Sequence, residues 1–227
     1  GYSPVKMQRY QDLIERYITG EIKQLYGVIS KAETVQEVEQ NMPYLKIVSA
    51  LNGKYVILGG EYPPVANPYV MGNCWFVDSV EVAPPPDDEI ALLAATDLHT
   101  TAVVGDDFAW ARESDAFSGK KPVSAFPERG EGFRQDLIYL DHYAPNELRY
   151  MFSTARERAV VFSEIYYPKG WKAWIEPAGA YGEVRNGHYQ PTEDAVQLQL
   201  CRAEWILRGA IIPEGEDQLI MRFAPDP

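Results

Sequence analysis

From residue 133 to residue 227 the sequence is a succession of short strand-forming runs separated by turn residues, and that spacing leaves few ways to fold. The runs are Asp136 to Tyr143, Glu147 to Thr154, Ala159 to Tyr167, Trp171 to Glu176, Val196 to Cys201, Trp205 to Ile212 and Gln218 to Ala224. Each alternates in polarity or is rich in aromatic and β-branched residues, which suit a pleated, half-buried surface. Ala144-Pro145-Asn146, Pro168-Lys169-Gly170 and Glu214-Gly215-Glu216 punctuate them. Strands joined by turns this short pair with their neighbours in sequence, and each sheet then needs a second layer over its apolar face. The expectation is an antiparallel β-sandwich over residues 133–227, jelly-roll-like or immunoglobulin-like.

The chain before it reads differently, so the fold class is α+β, an N-terminal helical segment followed by the sandwich. Residues 1–60 carry helical patterning: Ser3 and Pro4 make a helix start, and Tyr10, Leu13, Ile14, Tyr17 and Ile18 recur on one face. Gly20 interrupts the stripe, which resumes through Ile22, Leu25 and Tyr26, so the segment is one helix with a weak point or two short ones. Thr34-Val35-Gln36-Glu37 is a capping box, opening a second helix that ends near Asn41-Met42-Pro43. Leu45, Val48 and Leu51 predict a third short helix closed by Asn52-Gly53, then a strand from Tyr55 to Leu58. Residues 61–132 form a connecting region: strand formers from Cys74 to Val82, a stop at Pro84-Pro85-Pro86, a short helix from Asp87 to Ala95 and a brief strand from Thr101 to Val104. Its end, Glu113 to Gly132, reads as a mobile surface loop.

Charge narrows the function classes. Lys and Arg total 21 against 33 Asp and Glu, a formal net charge of −12. Nucleic acid is not the expected partner, because its affinity comes mostly from clustered cations neutralising phosphates, and anionic membrane surfaces are disfavoured for the same reason. The longest apolar stretches, such as Ile90 to Ala95, fall far short of the ~18 residues of a membrane-crossing helix, so the chain as given is expected to be soluble. It opens Gly1-Tyr2-Ser3-Pro4 without an initiator Met, which suits a piece trimmed from a longer protein. Cys74 and Cys201 are far apart and form no metal-ligand spacing; buried free thiols and a disulfide in an oxidising compartment both fit.

No motif for catalysis stands out. A P-loop, a GxGxxG fingerprint, a GxSxG elbow and HExxH are all missing from the sequence. His99, His142 and His188 lie in separate contexts, and the acid pairs Asp87-Asp88 and Asp106-Asp107 sit where helices begin, where capping accounts for them. The sequence therefore assigns no catalytic residue, no metal and no cofactor. What it does single out is an aromatic cluster: Tyr166, Tyr167, Trp171 and Trp174 around the Pro168-Lys169-Gly170 turn. If such residues alternate in and out of a sandwich, some rings face water and can stack on a sugar or an apolar partner, and core packing is the competing use. Arg202 and Arg208 bracket Trp205, where either a bidentate grip on a carboxylate or phosphate or an ordinary salt bridge would occupy them.

Three stretches carry a family resemblance. Gly72-Asn73-Cys74-Trp75-Phe76-Val77, the run from Ala159 through Tyr166-Tyr167-Pro168-Lys169-Gly170-Trp171-Lys172-Ala173, and Ile206-Leu207-Arg208-Gly209-Ala210-Ile211-Ile212-Pro213-Glu214-Gly215 resemble the C-terminal portion of YfhO-like bacterial membrane proteins. Arg9-Tyr10-Gln11-Asp12 and Leu51-Asn52-Gly53-Lys54-Tyr55-Val56-Ile57 look similar to the segment leading into it. The stretch from Tyr181 to Asp194, rich in Gly, Asn and Pro, departs from the compact hairpin expected there. That family is similar to lipid-linked-sugar-dependent glycosyltransferases, with its catalytic acid in an early extracytoplasmic loop that nothing here matches. The resemblance implies a region on the periplasmic, extracytoplasmic face of the bacterial cytoplasmic membrane, anchored through transmembrane segments outside this sequence. Its implied role is non-catalytic: positioning a glycan, a lipid-linked sugar or an envelope partner for the membrane portion of the parent. The contact surface would comprise Tyr166, Tyr167, Trp171, Trp174 and Arg208. Two other roles stand beside it, a hydrolase or transferase with a site assembled from distant strands, and a scaffold or homodimerisation domain.

Overall fold

Helices gather at the N-terminal end of the chain and strands in the rest, in a computed structural model that describes residues 8–83, 86–112, 136–185 and 188–223. The helix start at Ser3-Pro4, Pro84-Pro85 and the loop expected over Glu113 to Gly132 lie outside those residues. The fold is mixed α+β with mostly antiparallel sheets. It divides into two compact units, Gly1–Gly72 and Asn73–Pro227.

In the first unit a continuous helical stretch runs as α1 (Gln8–Leu13), a π-helical turn (Ile14–Ile18) and α2 (Thr19–Ile29). The widened turn lets the Thr19 hydroxyl donate to the Ile14 carbonyl at 2.7 Å. Gly20 does not break this helix. The capping box works at α3 (Val35–Gln40): Thr34 accepts from the Glu37 amide at 3.2 Å, while the Glu37 carboxylate reaches one residue further back, to the Glu33 amide at 2.9 Å. The third helix, α4 (Lys46–Ala50), has no side-chain cap of its own. Glu21 from α2 supplies one, its two oxygens accepting from the amides of Ile47 at 2.8 Å and Val48 at 3.0 Å. Asn52 then takes a left-handed conformation, φ +61°, and the chain leaves into β1 (Tyr55–Val56), paired with β2 (Val65–Ala66). Leu25, Val38, Met42, Leu45 and Val65 form this unit's core.

The second unit is built on two sheets. One has five strands, all antiparallel, in the order β12-β9-β15-β7-β6: β6 (Leu137–Ala144), β7 (Glu147–Thr154), β9 (Trp171–Pro177), β12 (Val196–Leu198) and β15 (Gly215–Phe223). The other has six, β3-β8-β14-β13-β5-β4: β3 (Cys74–Val77), β4 (Ser79–Ala83), β5 (Thr101–Gly105), β8 (Arg158–Ile165), β13 (Cys201–Ala203) and β14 (Leu207–Ile212). A small hairpin of β10 (Glu183–Arg185) and β11 (His188–Gln190) completes it. One buried cluster draws on both large sheets, with Leu148, Tyr150, Phe152, Ala173, Ile175, Leu219 and Met221 from the first, and Val160, Phe162, Ala210 and Ile212 from the second.

Three features differ from the sequence reading. First, the stretch from Cys74 to Val82 is two strands broken at Asp78, and with Thr101–Gly105 it contributes half of the six-stranded sheet. Second, β4 and β5 pair in parallel, joined by α5 (Pro86–Ala95), because a helical crossover returns the chain in the same direction. Third, the run from Val196 to Cys201 changes sheets: β12 pairs with β9, and β13 with β14 and β5.

The same strand order settles the cysteines. Cys74 on β3 and Cys201 on β13 are separated by β8 and β14. Three strand spacings put them ~14 Å apart, against the ~7 Å limit for bridged Cα atoms. Both thiols are free.

Candidate functional site

The five residues singled out from sequence are divided by the fold among three places. Strand alternation is the reason. Phe223 lies opposite Trp171, and Met221 opposite Ala173, on the face that builds the shared core. Trp174 points to the other face, where it is 7% exposed and packs on Ile220 and Tyr189, with ring centroids 5.1 Å apart in the second pair. Tyr166 lies against Phe108, centroids 5.6 Å apart in an edge arrangement. Trp171, Arg208 and Tyr167 remain together.

Arg208 is on the inner face because it sits opposite Phe162, a core residue, as does Cys74 on the far side of β8. The ladder between β14 and β8 slips there: Leu207 faces Ile165 and Arg208 faces Phe162, so Ser163 and Glu164 bulge out of β8. Arg208 is only 3% exposed. Its Nε donates to the Ile165 carbonyl at 3.1 Å, Nη1 lies 4.0 Å from the Met221 sulfur, and Cζ stacks 3.9 Å from the Trp171 ring centroid. A desolvated cation on an indole face is worth ~2 kcal/mol. It holds the Trp171 ring in one orientation. Phe223 packs beside that ring at 5.6 Å, and Tyr167, 48% exposed, lies 6.4 Å from Phe223.

Sequence reasoning missed three members of this cluster. Tyr150 is completely buried, its ring 4.8 Å from Phe162, and its hydroxyl has no hydrogen-bond partner among the described residues. Burial, reinforced by the negative charge of Glu164, raises its pKa above the ordinary phenol value. Glu164 is pushed above the usual carboxylate range by burial, with Arg208 opposing. Arg208 is lowered by burial, with Glu164 opposing. Tyr143, 64% exposed on the edge strand β6 opposite Leu148, completes the set. A signal was legible: Arg208 shares its strand face with Ala210 and Ile212, so a charge falls at an inward position.

Several other polar side chains of the second unit bond to one another. Glu176, completely buried, accepts from the Tyr189 hydroxyl at 2.7 Å, the Thr192 amide at 3.1 Å and the Thr192 hydroxyl at 2.5 Å. Tyr181 donates to Glu147 at 2.6 Å, and Arg222 donates to the same carboxylate at 2.5 Å. These bonds fasten the hairpin over Trp174. Arg202 grips the carboxylate of Glu89 through Nη2 at 3.1 Å and Nε at 3.4 Å, with Asp107 3.6 Å from Nη1. Of the two arginines that bracket Trp205, one is thus held by a carboxylate of this chain.

Among the described residues no group of three His, Cys, Asp or Glu side chains could hold a metal ion. A cleft of about 530 Å³ lies in the first unit between α2 and α3, lined by Gln24, Lys31, Glu37 and Asn41 among others. No helix of the described residues is long and apolar enough to cross a membrane. No family model, curated protein or solved structure matches this chain.

Proposed function

We propose that this chain is a non-catalytic binding module, the extracytoplasmic part of a YfhO-like membrane protein, whose second unit is an antiparallel β-sandwich presenting a glycan or lipid-linked sugar to a transferase in the membrane portion. The observation that carries the reading is the Trp171 ring held by Arg208 beside Phe223, with the exposed ring of Tyr167 next to it. Rings fixed before a ligand arrives lose little conformational entropy on binding, which is what a sugar-stacking surface requires. The shared cluster drawn from both sheets supports the sandwich. The YfhO-like likeness rests on the stretches around Trp75, Trp171 and Arg208 quoted above. Trp174 has no part in the contact surface, because the β10–β11 hairpin covers it.

Binding of the intact chain to an array of bacterial envelope glycans tests the reading. Retention of at least one glycan, weakened by Tyr167→Ala with the melting temperature unchanged, is the expected result. Retention of none overturns it.

A further inference from the structure

We propose that β6 is an interface strand, along which a second copy of this chain adds its own β6 in antiparallel pairing, so that the two five-stranded sheets become one. The inference stands apart from the glycan reading and uses no part of it. A strand at the edge of a sheet presents a row of unpaired backbone donors and acceptors, and folded proteins blunt such edges by keeping them short, charged or covered. Among the described residues the two large sheets have four edge strands, β12, β3, β4 and β6. β12 and β3 are only three and four residues long. β4 exposes Ser79 and Glu81, and the 3₁₀ turn Asp106–Arg112 packs against it. β6 has none of these devices. It runs for eight residues without a lysine, an arginine or a proline, opens on Leu137-Ile138-Tyr139-Leu140, and among the described residues pairs with β7 alone.

The side chains along this edge suit a like partner. Leu137 and Tyr139 point away from the core and are each about half exposed, with Tyr139 directly opposite Met151 of β7. The β10–β11 hairpin covers the far half of that outer face, where Tyr189 packs on Trp174 and Ile220, and Leu137 and Tyr139 stay in the open. Ile138 and Leu140 point inward and remain only partly buried, packed against the shared core. At Asp141 the ladder with β7 shifts, and this bulge confines regular pairing to the stretch before it. Opposed residues of an antiparallel pair share a face, so a two-fold axis on Ile138 or Tyr139 sets outer residues of one copy on outer residues of the other, and inner on inner. Charge selects the second copy over a foreign strand. Around this edge Asp136 is held by Arg158, and Glu147 by Arg149 and Arg222, while Asp141, the single acid of β6, has no ion pair among the described residues. One open carboxylate makes little field to steer a basic partner there. Two chains of formal net charge −12 meet with least repulsion where the local charge is this low.

The experiment is sedimentation velocity of the full chain over a dilution series, with amide hydrogen exchange of β6 read at both ends of the series. A dimer that dissociates on dilution is expected, together with amides of residues 137–140 that exchange more slowly in the concentrated sample. Leu137→Lys and Tyr139→Lys place a cation at exposed outward positions, where the fold has room for it, and each is expected to raise the dimer dissociation constant roughly tenfold or more. Val196→Lys, the same change at an exposed position of the opposite edge strand β12, is expected to leave that constant unaltered. An unchanged melting temperature identifies the variants that remain folded. A chain that is monomeric at every concentration overturns the proposal in favour of a different partner for the edge. A dimer that both β6 lysines leave intact, or that Val196→Lys dissolves, overturns it as well. Exchange of the β6 amides that does not depend on concentration overturns it without recourse to any variant.

Discussion

Arg202 and Glu89, 113 positions apart in sequence, meet as a two-pronged ion pair in which Nη2 and Nε reach the two carboxylate oxygens at 3.1 and 3.4 Å. The pair ties α5 to β13, two elements that share no hydrogen-bond ladder. Glu89 is 1% exposed, so removing either partner leaves the other charge buried. Glu89→Gln is expected to cost about 3–5 kcal/mol in urea unfolding. The double variant Glu89→Leu, Arg202→Met is expected to recover most of that loss, since it buries no charge at all. A loss under ~1 kcal/mol for Glu89→Gln would mean that water reaches the pair.

Gly182 begins the segment that covers Trp174. A Cβ there would collide with the Gln190 carbonyl, a backbone atom that cannot swing aside. Gly182→Ala is therefore expected to lift the β10–β11 hairpin, loosen the Tyr189–Glu176 bond and expose Trp174. The readout is a red shift in tryptophan fluorescence at a temperature where the rest of the protein remains folded. An unshifted spectrum would show that the hairpin accommodates the methyl group.

Burial pushes both thiols up, Cys74 to about 12 and Cys201 to about 12. The thiolate is the reactive form, so neither is expected to react with a disulfide reagent in the folded protein near pH ~8. Both should react at once in denaturant, and migration on a gel should not depend on reductant. Rapid labelling of the native protein would contradict the burial.

Glu164 titrates in the folded state above its ordinary value of 4.5. The folded protein thus binds this proton more tightly than the unfolded chain does. The stability it contributes is complete below the unfolded pKa and is lost as pH rises through the folded one. Glu21, raised for the same reason in the helical unit, acts in the same direction. Against Glu164→Gln, which cannot titrate, the wild type is expected to lose stability on going from about pH 4 to about pH 8. A difference between the two proteins that stays constant over that span would place Glu164 in water.

The local grammar of the chain was legible where the signals were local. The capping box at Thr34, the stop at Asn52-Gly53 and the strand from Glu147 to Thr154 emerge where the residues place them. At Gly20 the pattern left one helix with a weak point or two short ones, and the chain takes the first, because a helix held by the packing of its neighbours tolerates one residue of poor propensity. Cys74 to Val82 misled differently: strand formers continue across Asp78, and only the bond from the Asp78 amide to the Thr100 carbonyl at 2.7 Å shows that the chain has changed partners. The aromatic cluster was visible as a cluster, but its members part company because Trp171 and Trp174 are an odd number of positions apart on one strand.

By itself the sequence determined which segments are helical and which extended, the absence of a local catalytic motif, and the acidic net charge. Only the tertiary structure decided that β4 and β5 run parallel, that the two cysteines stand too far apart to bridge, and that Arg208 lies buried against Trp171. The reason is physical. Helix caps and strand alternation are fixed by neighbours a few residues away, whereas sheet order and the company a buried charge keeps depend on pairings across a hundred residues, which no local pattern records.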